Sequence, residues 1–217
     1  RDFLEQGFYD PLMKEIKSVI ENELIVDSKE ITILDSGCGE GYYSENALSN
    51  LKEIKSNIIG TDISKYAVKY AAKKYKNNFY FVSSIYNLPV KTDSIDLILS
   101  VFSPNDSKEF SRVLNANGYL MIVSPGENHM KQLAELIYDS FRPHEYNIIE
   151  KIEEPFSHAS THRKTFKIEI NDSVMLQNLL KMTPYYWNTS IEAQAKIENC
   201  NAISITCDFS ITVFKIV

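Results

Sequence analysis

Cysteine is scarce in this chain. There are three, Cys38, Cys200 and Cys207, an odd number with no Cys-x-x-Cys pair among them. That excludes a disulfide framework and a cysteine-based zinc site within these residues, and it fits a reduced, cytoplasmic setting. Long apolar runs are missing too: none approaches the ~20 residues that span a bilayer, so no membrane partner is expected. No secretory leader is visible, and because the chain opens on Arg1 rather than Met, the expectation is that it begins inside a longer one. Basic residues are outnumbered, 23 against 29 acidic ones, and the net charge of −6 carries no electrostatic footprint of a nucleic-acid binder. Internal repeats and low-complexity tracts are absent. What remains, 44% hydrophobic and 24% charged in 217 residues, is an ordinary globule. It is long enough for a single α/β domain, residues 1–217, with a full core.

Glycine is scarce as well, which makes its clustering informative: three of the seven, Gly37, Gly39 and Gly41, fall within five residues. They follow Ile31-Thr32-Ile33-Leu34-Asp35, a short β-branched apolar run that reads as a buried strand, and precede a helix-like segment from Tyr42 to Leu51. A strand feeding a glycine-rich turn and then a helix lets a ligand approach the backbone and the unpaired N–H groups of the helix start. The second strand ends at Asp62, 21 residues after Gly41, where a carboxylate can accept both hydroxyl hydrogens of a ribose. A dinucleotide turn would want glycine at position 42, which is Tyr. Here an acid, Asp35, stands two residues before the first glycine. It would repel a pyrophosphate but suits a ligand with a cationic end, such as the amino group of a methionine moiety. The pattern therefore favours an S-adenosylmethionine site over a dinucleotide site or an unliganded glycine turn.

The rest of the chain alternates strand and helix. Residues 2–22 read as helical, restarting at Asp10-Pro11, with the apolar stripe Leu12, Ile16, Val19, Ile20 and Leu24. The segment 1–24 is expected to act as an N-terminal lid, its aromatics Phe8 and Tyr9 either covering a cofactor or packing on the core. Ser64 caps a helix to about Tyr75. Phe79–Val82 is a third strand, and Ser84 follows where an adenine would lie. Ser94–Val101 is a fourth strand, ending in Phe102-Ser103-Pro104-Asn105 at the switch point where open α/β sheets place chemistry. Asp106 caps a helix to Leu114, Asn115–Gly118 reads as a turn, Tyr119–Ser124 as a fifth strand, and a helix runs on to about Ser140. Further strands are expected at Arg163–Ile170 and Ile203–Ile216, the last antiparallel, with a helix at Asp172–Lys181 between them. The alternation argues for a doubly wound, mostly parallel sheet.

At this point the residues carry a resemblance. The strand order with its antiparallel tail resembles a class I, Rossmann-like S-adenosylmethionine-dependent methyltransferase, which implies a seven-stranded sheet. Closer still, the chain is similar to the bacterial 23S ribosomal RNA guanine-N1 methyltransferases, the group that includes macrolide-resistance methyltransferases. The blocks that match are Arg1-Asp2-Phe3-Leu4 through Gly7-Phe8-Tyr9-Asp10-Pro11-Leu12, Leu34 through Tyr43, Ser124-Pro125-Gly126 with His129, and Met182-Thr183-Pro184-Tyr185-Tyr186-Trp187. The glycine block is widespread among methyltransferases; the first and last are more particular. The resemblance implies cofactor contacts at Tyr9, Gly39, Glu40 and His129, beside Asp35, Gly37, Gly41, Asp62, Ile63, Ser84 and Phe102. It implies S-adenosyl-L-methionine as cofactor, S-adenosyl-L-homocysteine as product and ribosomal RNA as partner, and it admits a homodimer. The family also carries an N-terminal four-ligand zinc module that helps hold RNA. Nothing like it occurs in these residues, so zinc is expected only if such a module precedes Arg1.

For the substrate, Pro104 and Asn105 stand where the target base should arrive, and Tyr185 and Trp187 could stack an extruded guanine, although aromatic residues here also serve as core filler. His129 has a bland alternative as a polar residue at a helix start. His158 and His162 lack the helix that would make their spacing a metal pair. In-line transfer to guanine N1 requires loss of a proton, and no His–carboxylate pair identifies the base. Three function classes result: an RNA guanine-N1 methyltransferase, a small-molecule methyltransferase on the same fold, and an inactive cofactor-binding scaffold.

Overall fold

The structure is a computed structural model of the 217-residue chain; it describes all residues except 1, 25–29, 50, 53, 139–140 and 145–146. Seven strands form one sheet in the order β3-β2-β1-β4-β5-β7-β6. They are β1 (Glu30–Ser36), β2 (Lys55–Asp62), β3 (Phe79–Val82), β4 (Ile95–Val101), β5 (Leu114–Pro125), β6 (Phe156–Ile170) and β7 (Ile203–Ile216). β1 to β5 pair in parallel. β7 runs the other way: as the chain leaves β5, Gly126 donates to the Asp208 carbonyl and Met130 to the Thr206 carbonyl, so one number rises while its partner falls. Bonds from Ser157 to the Lys215 carbonyl and from Ser204 to Glu169 show the same opposition between β7 and β6. The expected mostly parallel sheet with an antiparallel C-terminal strand is thus present.

Helices flank the strands: α1 (Asp10–Val19), α2 (Tyr42–Leu48), α3 (Lys65–Lys74), α4 (Ser107–Val113), α5 (Lys131–Ile137), α6 (Ser173–Lys181) and α7 (Ile191–Glu198). Caps read from sequence operate: Ser64 accepts from Ala67 N–H and Asp106 from Glu109 N–H. Several boundaries differ from expectation. The N-terminal segment is a 3-10 turn at Leu4–Gln6, a left-handed Gly7, then α1, which widens into a π turn at Ile20–Leu24. α2 stops at Leu48 rather than Leu51, α5 ends at Ile137, and residue 140 lies outside the described residues. Asn115–Gly118 is no free turn but an irregularity inside β5: Ile95 pairs with Leu114 while Leu97 pairs with Tyr119, and Asn115 bonds the Asp96 side chain. β6 starts seven residues earlier than expected, at Phe156. It is an edge strand, and Ser157, His158 and Ser160 can face water there without an apolar signature. α7 was not anticipated; Ser190 caps it and Ala193 and Ile197 anchor its buried side.

The chain forms two compact units. One comprises Arg1–Pro11, Pro125–Tyr146 and Arg163–Phe209; the other comprises Leu12–Ser124, Asn147–His162 and Ser210–Val217. We call them the smaller unit and the sheet unit. The sheet unit's core gathers Leu34, Ile98, Phe110, Leu120, Phe156 and Phe214. Phe110 is fully buried, and truncating it to Ala would cost about 3–5 kcal/mol. In the smaller unit, Phe3 stacks on Phe8, and Phe209 is ringed by Tyr9, His129 and Phe166. Among the described residues no helix is long and apolar enough to cross a membrane.

Candidate functional site

The carboxyl ends of β1 to β4 in the sheet unit stand out for what they leave unsatisfied. Five buried side-chain atoms among the described residues have no hydrogen-bond partner: Asp35 Oδ2, Ser36 Oγ, Thr61 Oγ1, the Tyr80 hydroxyl and Asn105 Oδ1. All five lie on these strands or in the turn after β4. Buried polar groups are nearly always paired, so a cluster of orphans at one edge of a sheet is the mark of a ligand site.

The turn after β1 is built by its neighbours. Gly37 and Cys38 both donate to the Thr61 carbonyl, tying the turn to β2. Gly37, at φ 79°, has no room for a side chain, because an added Cβ would lie 2.4 Å from Ser103 Cβ. Ser103 is itself pinned, donating to the Ser36 carbonyl at 2.6 Å and sharing a 2.9 Å bond with Ser100 Oγ. Gly39, at φ 52°, is different: a Cβ there would meet nothing within 4 Å. This side of the turn is open, and its backbone is approachable. Asp62 holds the opening in shape, Oδ2 accepting from Gly39 N–H at 2.9 Å and Oδ1 from Ser64 N–H at 2.7 Å. Each carboxylate oxygen keeps a lone pair for a further donor.

Beneath the turn runs a row set by register: Asp35 opposite Gly60, Gly60 opposite Tyr80. Gly60 is needed because Tyr80 lies across it; an added Cβ would sit 2.4 Å from that ring. Asp35 is 1% exposed. Burial above all pushes its pKa up to about 7, helped by the charge of Asp62 and opposed by hydrogen bonds from Ser44. Burial likewise raises the Tyr80 phenol to about 12 and drives the Cys38 thiol up, so neither is an anion here. A cationic group bonded to Asp35 Oδ2 would both fill the orphan and return the carboxyl to its ionised form. The residues present therefore fit S-adenosylmethionine, whose methionine end is an ammonium.

Other expected positions fall around this turn. Glu40 is half-buried between Gly39 and Gly41. Ile63 follows Asp62 and is 79% exposed. Ser84 is exposed, and its hydroxyl accepts from Tyr86 N–H at 3.3 Å. Phe102, at φ 53°, has its ring 43% exposed and edge-on to Tyr43. Pro104 is exposed; Asn105 is half-buried, its Nδ2 3.4 Å from the Ser103 carbonyl and its Oδ1 orphaned. Gly41, at φ 77°, packs under Tyr75 and Tyr80.

The remaining positions belong to the smaller unit. Tyr9 is 2% exposed, edge-on to Phe3 and Phe209. His129 is buried, its ring 4.7 Å from that of Phe209. The late aromatic block divides. Tyr185 is tethered, its hydroxyl 3.2 Å from His144 Nε2 and its ring against Tyr138. Trp187 is 84% exposed and pairs edge-on with Tyr186. His158 and His162 bond Thr161 and Glu23 respectively, and no metal-holding cluster of His, Cys, Asp and Glu occurs among the described residues. Sequence reasoning placed Ser103 only within the 102–105 turn, with no role of its own, and missed Tyr80 and Asp208. Only the last had a visible signal, an acid inside the apolar run Ile205–Phe209.

A parallel sheet of this order, with its single reversed strand and an open turn after β1, defines a class I S-adenosylmethionine-dependent methyltransferase. Comparison with known proteins bears on the family. A model described as a methyltransferase domain matches residues 27–184. The "Putative 23S rRNA (guanine-N(1)-)-methyltransferase YxjB" of Bacillus subtilis is 30% identical over 96% of this chain and 75% of its own length. The 23S rRNA (guanine(748)-N(1))-methyltransferase of Streptomyces fradiae is 24% identical over 62% of this chain and 47% of its own. Among solved structures, the YcgJ protein of Bacillus subtilis superposes with a TM-score of 0.58 at 17% identity, covering 96% of this chain and 98% of that one, a likeness of fold. The chain belongs to the methyltransferase-domain family and, within it, to the bacterial 23S rRNA guanine-N1 methyltransferases.

Proposed function

We propose that this methyltransferase acts on N1 of a guanine in a 23S ribosomal RNA hairpin loop. The observation that carries the reading is the 30% identity to the YxjB protein across 96% of the chain. In this reading Asp35 takes the ammonium of S-adenosylmethionine, Gly37, Gly39, Glu40 and Gly41 line its methionine end, and Asp62 takes the ribose. Ile63, Ser84 and Phe102 flank the adenine, while Tyr9 and His129, in the smaller unit, are the cofactor contacts that the family resemblance implies. The cofactor, when bound, supplies an electrophilic methyl group.

Guanine offers N1–H and an exocyclic amine along one edge, both donors, and Asn105 Oδ1 is a buried acceptor in want of one. An amide oxygen orients the base without deprotonating it. Pro104, next to Asn105 in sequence, supplies apolar surface; separately, the tethered Tyr185 and the exposed Tyr186–Trp187 pair offer stacking surface to RNA bases, and such stacking contributes ~1–3 kcal/mol per base. A loop guanine is cheap to extrude. With a net charge of −6, the phosphate share of binding is small, so RNA affinity of this chain depends only shallowly on salt. The setting that follows is the cytoplasm.

The test is methyl transfer from labelled cofactor to unmodified 23S RNA, with primer extension locating the blocked base. A stop at a single loop guanine supports the reading. Transfer to small metabolites but never to RNA, by this chain and by any longer natural form, hands the function to a small-molecule methyltransferase.

A further inference from the structure

We propose that the lysine stripe Lys65, Lys69 and Lys73 on α3 is a phosphate-binding surface for the RNA strand that carries the target base. The inference rests on the RNA reading above for its partner and goes beyond it by naming where the backbone is held.

The net charge of −6 conceals an uneven distribution. Residues 63–92 hold six lysines, Lys65, Lys69, Lys73, Lys74, Lys76 and Lys91, and none of the chain's 29 acidic residues. The remainder of the chain is correspondingly more acidic than the average. All but Lys91 lie on α3 or just past its end. α3 packs against β2 and β3 and buries Val68 and Ala71. Lys65, Lys69 and Lys73 recur every fourth residue, so they share one side of the helix, and all three are exposed. Tyr66, 88% exposed, borders them.

This arrangement works against the helix. Like charges four residues apart repel, and Lys65 puts a cation in the first turn, at the positive end of the helix dipole, with no acidic residue in that turn to offset it. Other helices of the chain are built the opposite way. Lys17 pairs with Glu21, Lys131 with Glu135 and Arg112 with Glu109, each across one helical turn. α3 offers its lysines no carboxylate of its own. Local repulsion kept on a surface is relieved when an anionic partner lies on it.

Three observations select RNA as that partner. Lysine ammonium groups are point charges that hold phosphates without reading sequence, which is the task of positioning contacts. Tyr66 presents a free-standing ring face beside them, and bases of a single strand stack on such rings. The stripe also starts at the candidate site: Ser64 caps α3 and donates its N–H to Asp62 Oδ1 at 2.7 Å, so Lys65 stands three residues from the carboxylate proposed for the ribose. From there it runs along the helix for ~12 Å to Lys73. An anionic membrane would want an apolar face to insert beside the lysines, and the apolar residues Val68 and Ala71 of α3 are buried. Neutralising three phosphates gives a slope of roughly −2 to −3 in the logarithm of affinity against that of salt. That is the shallow dependence expected of the whole chain, assigned to one helix.

The experiment uses the 217-residue chain and two probes, unmodified 23S RNA and a labelled oligouridine, with binding followed from about 50 to about 300 mM KCl. One variant combines Lys65→Gln, Lys69→Gln and Lys73→Gln; glutamine suits exposed helix positions, so it should fold. A second carries arginine at the same three positions. A third combines Lys14→Gln, Lys52→Gln and Lys167→Gln, exposed lysines elsewhere. The α3 glutamine variant should bind both RNAs at least roughly tenfold more weakly at low salt, with most of the slope gone. Its affinity for S-adenosylhomocysteine should be unchanged, and in methyl transfer its KM for RNA should rise with kcat kept. The arginine variant and the distant variant should keep the parent's slope. An unchanged slope in the α3 glutamine variant, an equal loss in the distant variant, or no measurable binding of either RNA by the parent would overturn the proposal. So would α3-dependent binding to phosphatidylserine vesicles with none to RNA, which would assign the stripe to a membrane surface. Methyl transfer to small molecules alone, with α3 still setting the salt slope of RNA binding, would remove the guanine reading and uphold the surface. Methylation of a loop guanine with α3-independent binding would do the reverse.

Discussion

Substituting Gly37 and Gly39 separately should give two different kinds of damage. Both glycines have left-handed backbones, at φ 79° and φ 52°, so alanine at either costs ~1–2 kcal/mol in conformation alone. At Gly37 there is a second charge. The new methyl would lie 2.4 Å from Ser103 Cβ, and Ser103 cannot step aside without loosening its 2.6 Å bond to the Ser36 carbonyl. Overpacking of this kind adds ~1–3 kcal/mol. Gly37→Ala should therefore lose about 2–5 kcal/mol, a large part of a typical domain's 5–15 kcal/mol. At Gly39 nothing lies within 4 Å, so stability should fall by only the conformational ~1–2 kcal/mol. Its methyl, however, would stand in the open side of the turn, and S-adenosylhomocysteine should bind at least roughly tenfold more weakly. Urea unfolding and calorimetric titration read the two losses separately. A cycle sharpens the first: Ser103→Gly removes the clashing carbon, so the double variant with Gly37→Ala should be more stable than the sum of the singles by ~1–2 kcal/mol. Equal stability losses at the two glycines, or full cofactor affinity in Gly39→Ala, would refute the assignment of one glycine to packing and the other to ligand access.

Asp62→Ala should weaken S-adenosylhomocysteine binding by ~1.5–3 kcal/mol in calorimetry, because it removes both the acceptor proposed for the ribose and the bond that shapes the turn at Gly39 N–H; affinity within twofold of the parent would reject the ribose role. Asp35 gives a pH signature. Its folded pKa of about 7 lies above its ordinary value of 3.8, so the folded state binds its proton more tightly than the unfolded state does. The contribution is full below about pH 4 and is lost as pH rises through 7. Without cofactor, this group should lower stability by up to ~1.4 kcal/mol per pH unit across that window, a slope that Asp35→Asn should abolish. Cofactor binding at pH 6 should release a proton from Asp35, seen as a dependence of the calorimetric heat on buffer ionisation enthalpy; no such dependence would place the ammonium elsewhere.

The chain's local patterns determined most of the architecture and the cofactor. The buried run 31–35, the crowding of three glycines into 37–41 and the acid at position 62 are short-range features whose physics is local: β-branched burial, left-handed backbone and a strand end. They read correctly as a strand, a turn and the end of the next strand. Caps at Ser64 and Asp106 are local too, and both accept the expected backbone hydrogen bonds. Edge strand β6 and the β5 irregularity were illegible for the converse reason. An edge strand needs no apolar face, and whether Asn115–Gly118 turns away or is absorbed into a ladder depends on Asp96, a residue of the neighbouring strand. The division of labour among the glycines was also decided in three dimensions, since it is Ser103 that fills the space beside Gly37 and Tyr80 that fills the space over Gly60. Likewise only the tertiary structure separated Tyr185, tethered to His144, from the exposed Tyr186–Trp187 pair, and brought Arg163 onto Asp208 across 45 residues of sequence. Pairings at that separation leave no periodic trace in the chain, because they are set by sheet register and by which donors happen to face a buried acceptor.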